Sequence, residues 1–263
     1  MTKPIITSLS NPLVKQARAL RGHKARAESG LFFVEGIHHV GEAVEAGWDI
    51  VSILYAPGVL TSDFARELIA RLDTQPGGTV QPVSAPVMES LADKENPQGI
   101  IAIVHQKQTG FNGLAAVRSG AALVSPQDPG NVGTILRTLD AVGADALFLL
   151  DGGVELYHPT CIRASMGAIF WKPIIQASFH DFVDWAERGK IQLIGASAHA
   201  KDDYLGFKPG GSFVLVLGSE QKGLSPEQIN ACNEVVSMPM RGRASSLNLA
   251  VAAGILLYQL VQP

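Results

Sequence analysis

AALVSPQDPGNVGTILRTLDAVGADALFLL, residues 121–150, reads as one strand–helix–strand unit. Residues 121–124 form a short, continuous apolar run. Pro126, Pro129 and Gly130 then break the chain, and Asn131 can cap the helix that follows. Ile135, Leu136, Leu139 and Val142 mark its apolar stripe, over about 132–142. A second apolar run covers 146–150. Strands without polar alternation are covered on both faces, so the pair is expected to be parallel, with the helix as crossover. The rhythm continues outward, with apolar runs at 191–195 and 213–217 and helical patterns at about 160–168 and 180–188. The expectation is an α/β domain with a mostly parallel sheet, which binds ligands in loops at the carboxyl ends of its strands.

Upstream the pattern differs. A basic helix is expected at about 11–20, strands at 31–34, 50–55 and 100–104, and helices at about 36–46 and 64–72. HQKQTGFNGLAAVRSG, residues 105–120, is polar and glycine-dotted and reads as a boundary. The expected division is 1–104, a linker at 105–119, and 120–263.

Composition sets the outer limits. The 263 residues are 46% hydrophobic and 17% charged, an ordinary folded composition. No apolar stretch reaches the roughly 18–20 residues of a membrane helix; the best candidate, 247–260, is interrupted by Asn248, Gly254 and Gln259. MTKPIITSLSN lacks the apolar core of a secretory signal. Cys161 and Cys232 lie far apart in no metal-ligand spacing. They read as reduced thiols of a cytoplasmic protein, with no metal expected. The net charge is −3, but residues 1–27 hold Lys3, Lys15, Arg18, Arg21, Lys24 and Arg26 and no acid. Without those six positive charges the remainder carries −9. Such a block suits a phosphate-contacting surface, or simply a solvated helix face.

Three loops carry candidate chemistry. In residues 125–145, Arg137 follows a helix start, an arrangement suited to an anion; taken alone, these residues read first as an ordinary capped helix with an exposed arginine. LVLGSEQKGLS, 215–225, approaches a phosphate-binding GxxxxGK[ST] loop, but Leu224 stands where the lysine is required. The nicotinamide signature GxGxxG is also absent there. Glu220 sits at that strand end, as a ligand contact or a surface carboxylate. MPMRGRASSLNLAVAAGILLYQL, 238–260, runs from a loop with Arg241 and Arg243 into a nearly all-apolar helix, with Ser246 as a possible cap. A helix this apolar needs burial in a core or against a second subunit.

In this order and spacing, NVGTILR, GSEQKGL and MPMRGRASSLN resemble the three motifs of the SpoU (TrmH-type) RNA ribose 2′-O-methyltransferases of the SPOUT superfamily. RASMGAIFWKP (163–173) and GASAHA (195–200) add to the likeness. GLFFVEGIHHVGEAVEAG and NPQGIIAIV are similar to the small RNA-substrate-binding domain that often precedes the catalytic one. Two positions depart from the pattern: Ser245 where the family often has an acid, and Met238 where isoleucine is common.

The resemblance implies a C-terminal α/β-knot domain with a deep trefoil knot, which a general prior against knots would not suggest. It implies S-adenosylmethionine as cofactor, bound around Ser197, Leu217, Gly218, Met238 and Leu247. It places the catalytic positions on Asn131, Arg137, Glu220, Ser246 and Asn248. It implies a homodimer with the active site at the subunit interface, and an RNA substrate, ribosomal RNA ahead of transfer RNA. Lys15, Arg18, Arg21, Lys24 and Arg26 are the expected RNA contacts. The competing reading is a non-catalytic RNA-binding or ribosome-assembly factor that retains the fold.

Overall fold

Continuous apolar runs become buried strands in a computed structural model, which describes residues 3–73, 79–92 and 97–261. Asn96, which opens the NPQGIIAIV stretch, lies outside the described residues, as do both chain ends. Two units emerge, residues 1–107 with 157–170, and residues 108–156 with 171–263.

The first unit begins with α1 (Pro12–Ala19) and α2 (His23–Ser29). Asn11 starts α1, its side-chain oxygen accepting from Leu13 N at 2.9 Å, with Pro12 at the first helical position. There follow β1 (Leu31–Glu35), α3 (Ile37–Glu45), β2 (Ile50–Tyr55), α4 (Asp63–Asp73), β3 (Thr79–Pro82), α5 (Ala85–Leu91) and β4 (Ile100–His105). The sheet order is β1-β4-β2-β3, antiparallel except for the β2–β3 pair. Val14, Ala17, Leu20, Phe33 and Leu54 are buried in its core.

Arg26 corrects one expectation. Its side chain is 1% exposed and donates to the carbonyls of Leu20 (2.7 Å) and Arg21 (2.8 Å). It fastens the α1–α2 turn and does not face RNA. Arg18 is half-buried and donates to Ser90 Oγ at 3.1 Å. Lys15, Arg21 and Lys24 are exposed.

The second unit opens with β5 (Ser119–Val124), α6 (Pro129–Ala141) and β6 (Ala146–Leu150). The helical pattern at 160–168 divides into α7 (Pro159–Ala164) and α8 (Ala168–Trp171). Met166 (φ 49°) and Gly167 (φ 95°) cannot continue a right-handed helix between them. Residues 157–170 pack in the first unit, where the tilted rings of Phe32 and Tyr157 have centroids 4.5 Å apart and Trp48 Nε1 donates to Phe170 O at 2.9 Å. The second unit resumes with β7 (Ile174–Ala177), α9 (Phe179–Gly189), β8 (Gln192–Ala196), β9 (Asp202–Asp203), β10 (Phe213–Leu217), α10 (Pro226–Ala231), β11 (Glu234–Ser237) and α11 (Leu249–Leu260).

Its sheet runs β7-β6-β5-β10-β8-β11-β9, and every pair is parallel. From β5 the chain winds one way, through β6 to β7, and then crosses to β8 on the other side of β5. The order therefore reverses between β5 and β10, where doubly wound sheets open a ligand crevice. α11 packs against both α6 and β10. Its Leu256, Leu257 and Leu260 are buried, each worth about 1.5–3 kcal/mol.

Burial raises the Cys161 thiol to about 12 and the Cys232 thiol to about 11. Both thiols stay neutral in the folded protein below pH 9, and reactivity needs the thiolate. Iodoacetamide at pH 8 is therefore expected to label Cys161 only after unfolding, as read by mass spectrometry. Because the folded values are raised, the stabilisation is complete below the unfolded thiol range and is lost as pH climbs through the folded values.

Candidate active site

The site assembles from loops at the carboxyl ends of β5, β8, β10 and β11. After β5 the helix start differs from expectation. Asp128 caps α6, its carboxylate accepting from Gly130 N at 2.7 Å, with Pro129 at the first helical position. Asn131 is thus inside the helix, 7% exposed, and its amide is free for tertiary bonding.

That amide joins three motif loops. Asn131 Nδ2 donates to Glu220 Oε1 at 3.2 Å, and Asn131 Oδ1 accepts from Asn248 Nδ2 at 3.0 Å. Asn248 Oδ1 accepts from Ala250 N (2.9 Å) and Val251 N (3.3 Å), so Asn248, not Ser246, caps α11. The Glu220 carboxylate also accepts from Gln127 N (3.1 Å) and Asp128 N (3.3 Å). Each amide orientation is fixed by its neighbour, and Glu220 is committed to holding the β5 loop.

Hydrogen bonds to a charged acceptor contribute about 1.5–3 kcal/mol, and the exposure of Glu220 lowers that figure. Glu220→Ala is therefore expected to leave the fold intact and cut turnover about tenfold by loosening the β5 loop. Thermal melting beside single-turnover rates would check both halves.

Gly218, the residue after β10, has a structural reason to be glycine. A Cβ there would lie 2.0 Å from Gly223 C and 2.3 Å from Leu224 N, because the 218–224 loop folds back on itself. Ser197 and Met238 follow β8, the neighbour of β10, and β11, the next strand beyond it, and both are half-buried. Leu217 is buried and Leu247 is 39% exposed beside the α11 cap. These five positions therefore lie at adjacent strand ends or at the start of α11. Arg137 and Ser246 stand apart from the amide chain; both are exposed, Arg137 on the outer face of α6. Among the described residues, no group of three or more His, Cys, Asp or Glu could hold a metal ion.

Sequence reasoning missed Ser125 (φ 46°) and Asp151 (φ 56°), left-handed residues that close β5 and β6, and Gly153 beside them (φ 105°). The Asp-Gly-Gly after a buried strand was the available signal.

An all-parallel sheet whose switch point is spanned by a Glu–Asn–Asn chain is the scaffold of an α/β ligand-binding protein. Residues 120–258 match the SpoU rRNA Methylase family, and residues 11–102 match the MRM3-like substrate binding domain. The chain belongs to the SpoU rRNA methylase family. It is 32% identical to the 23S rRNA (uridine(2479)-2′-O)-methyltransferase of Streptomyces viridochromogenes, covering 96% of this chain and 90% of that protein. It is 29% identical to the 23S rRNA (guanosine(2553)-2′-O)-methyltransferase RlmP of Bacillus subtilis, over 97% and 98%. The crystal structure of an AdoMet-bound rRNA methyltransferase from Sinorhizobium meliloti superposes with a TM-score of 0.87 at 34% identity, over 97% and 96%.

Proposed function

We propose that this protein transfers the methyl group of S-adenosylmethionine to a ribose 2′-hydroxyl in ribosomal RNA. The reading is carried by one observation: Asn131, Glu220 and Asn248, from three motif loops, form one hydrogen-bonded chain at the switch point. The strand ends around it suit the cofactor. Peptide groups at Ser197, Leu217, Gly218 and Met238 can meet the polar edge of an adenine. The side chains of Leu217, Met238 and Leu247 supply apolar surface for its faces. The bare backbone at Gly218 permits close approach.

The bound cofactor supplies a methyl group on a sulfonium, already a good leaving group. The protein's task is to align the hydroxyl and help remove its proton. Arg137 binds and orients the target phosphate and ribose, and that phosphate shares in proton removal. Ser246 offers a hydroxyl to the ribose from the loop that Asn248 anchors. Asn131, Glu220 and Asn248 keep the loops in register.

The exposed apolar face of α11 supports a homodimer with the active site at the interface. The return of α11 to α6 and β10 after the outlying β11 supports the knotted path. The two family matches support a substrate domain at 1–104, a linker at 105–119 and a catalytic domain at 120–263. Among the described residues no helix is long and apolar enough to cross a membrane, which fits work on RNA in the cytoplasm.

The test is transfer of radiolabelled methyl from S-adenosylmethionine to size-fractionated RNA from cells lacking the gene. Label in ribosomal RNA as 2′-O-methylribose is expected. Label in transfer RNA would redirect the substrate, and failure of both labelling and cofactor binding would favour the non-catalytic factor. Charge reversal at Lys15, Arg21 and Lys24 is expected to flatten the salt dependence of RNA binding by about 0.7–0.9 slope units per lost phosphate contact. An unchanged slope would remove the basic block from the interface.

A further inference from the structure

We infer that the Asp151–Val154 turn is a positioning clamp for the β5 loop, with Gly153 as its contact point. Ser125 and Asp151 end neighbouring parallel strands, and both non-glycine residues take left-handed backbone angles. Such conformations are costly for residues with a side chain and persist only where the surroundings impose them. Here they are tied together. Ser125 N donates to Leu150 O at 2.8 Å, and Ser125 Oγ donates to Asp151 O at 3.3 Å. Asp151 N donates to Ala177 O at 3.0 Å, and Asp151 Oδ1 accepts from Phe179 N at 2.8 Å, anchoring the turn to β7 and α9.

The turn then presses on the loop. Val154 N donates to Pro126 O at 2.8 Å. A Cβ on Gly153 would lie 2.3 Å from that same oxygen and 3.0 Å from Pro126 N. Pro126 is followed by Gln127 and Asp128, whose amides Glu220 engages. The loop is therefore gripped by Gly153 and Val154 at Pro126, and by Glu220 at the next two residues. Asp128 caps α6, and Asn131 lies in its first turn. The clamp thus sets where the Asn131 amide meets Glu220 and Asn248. Gly153 is a positioning residue that acts through Pro126 and Asn131.

The kinetic arm of the test rests on the proposed methyl transfer; the exchange arm does not. Gly153→Ala is expected to lower kcat about a hundredfold, the cost of an ångström-scale misplacement. KM for RNA and Kd for S-adenosylmethionine should stay within a few-fold. Hydrogen exchange in the same variant should show lost protection at the amides of Gln127 and Asp128. Ser125→Val, which disfavours the left-handed angle, should give the same pattern. Gly120→Ala is the structural control: its Cβ would lie 2.8 Å from Ala146 O, at the opposite end of β5. It should lower Tm without opening the Gln127 and Asp128 amides. Unchanged protection of those amides in folded Gly153→Ala overturns the clamp, whether or not the wild type methylates RNA. Lost protection with an unchanged kcat would overturn the positioning role.

Discussion

Arg137→Ala is expected to end methyl transfer, with a loss of about a thousandfold or more, while the protein stays folded and still binds S-adenosylmethionine. The scale is that of removing a donor aimed at developing charge. Arg137 is exposed on α6, outside the hydrogen-bonded chain of Asn131, Glu220 and Asn248. Its removal leaves no buried partner unsatisfied, so a structural explanation of the loss is closed off. The proposed role is that of a planar fork for phosphate and ribose oxygens. Lysine offers a point charge without that fork. Arg137→Lys should therefore keep RNA affinity near wild type but recover little of kcat. A lysine variant turning over at the wild-type rate would show that charge alone suffices and would remove the orienting role.

The strands at 146–150 and 213–217 were legible to the residue, because each is a pure apolar run bounded by turn residues. The β5 strand starts two residues before its apolar run, since Ser119 and Gly120 pair in register despite carrying no strand signal. The short β3, β7 and β11 strands left too little periodicity to read. The motif resemblance marked Asn131, Glu220 and Asn248, but their partners were not readable. Glu220 binds backbone amides of the β5 loop, and no side-chain pattern encodes that pairing. Asn131 looked like a cap because asparagine favours that place. Asp128 takes it because Pro129 suits the first helical position and needs no donor. Arg26 was indistinguishable in sequence from its basic neighbours. Only the fold of α1 onto α2 aims its guanidinium at two carbonyls.

Introducing Val251→Glu together with Ile255→Glu should turn the proposed dimer into a monomer in sedimentation velocity, and methyl transfer should vanish with it. Leu247, Val251, Ile255 and Tyr258 recur at four, four and three residues, which places them on one face beginning at the α11 cap. They are 39%, 50%, 39% and 63% exposed, while the opposite face of α11 is packed on α6 and β10. Leu205 extends the apolar surface, 58% exposed and tied to α11 by Gln259 Nε2 donating to Leu205 O at 3.3 Å. A contiguous stripe of this kind fits a second copy, since a two-fold contact pairs a surface with itself. The proposed active site at the interface makes activity depend on that contact, and Arg137 can serve either subunit's site. Mixed dimers decide that point. Arg137→Ala subunits and Gly218→Val subunits are each inactive alone, the first without its arginine and the second with its cofactor loop displaced. Random mixing makes half the dimers hybrid, and an arginine acting across the interface leaves one intact site in each, about a quarter of wild-type activity. Arginine acting within its own subunit leaves none, so a silent mixture would return Arg137 to its own crevice.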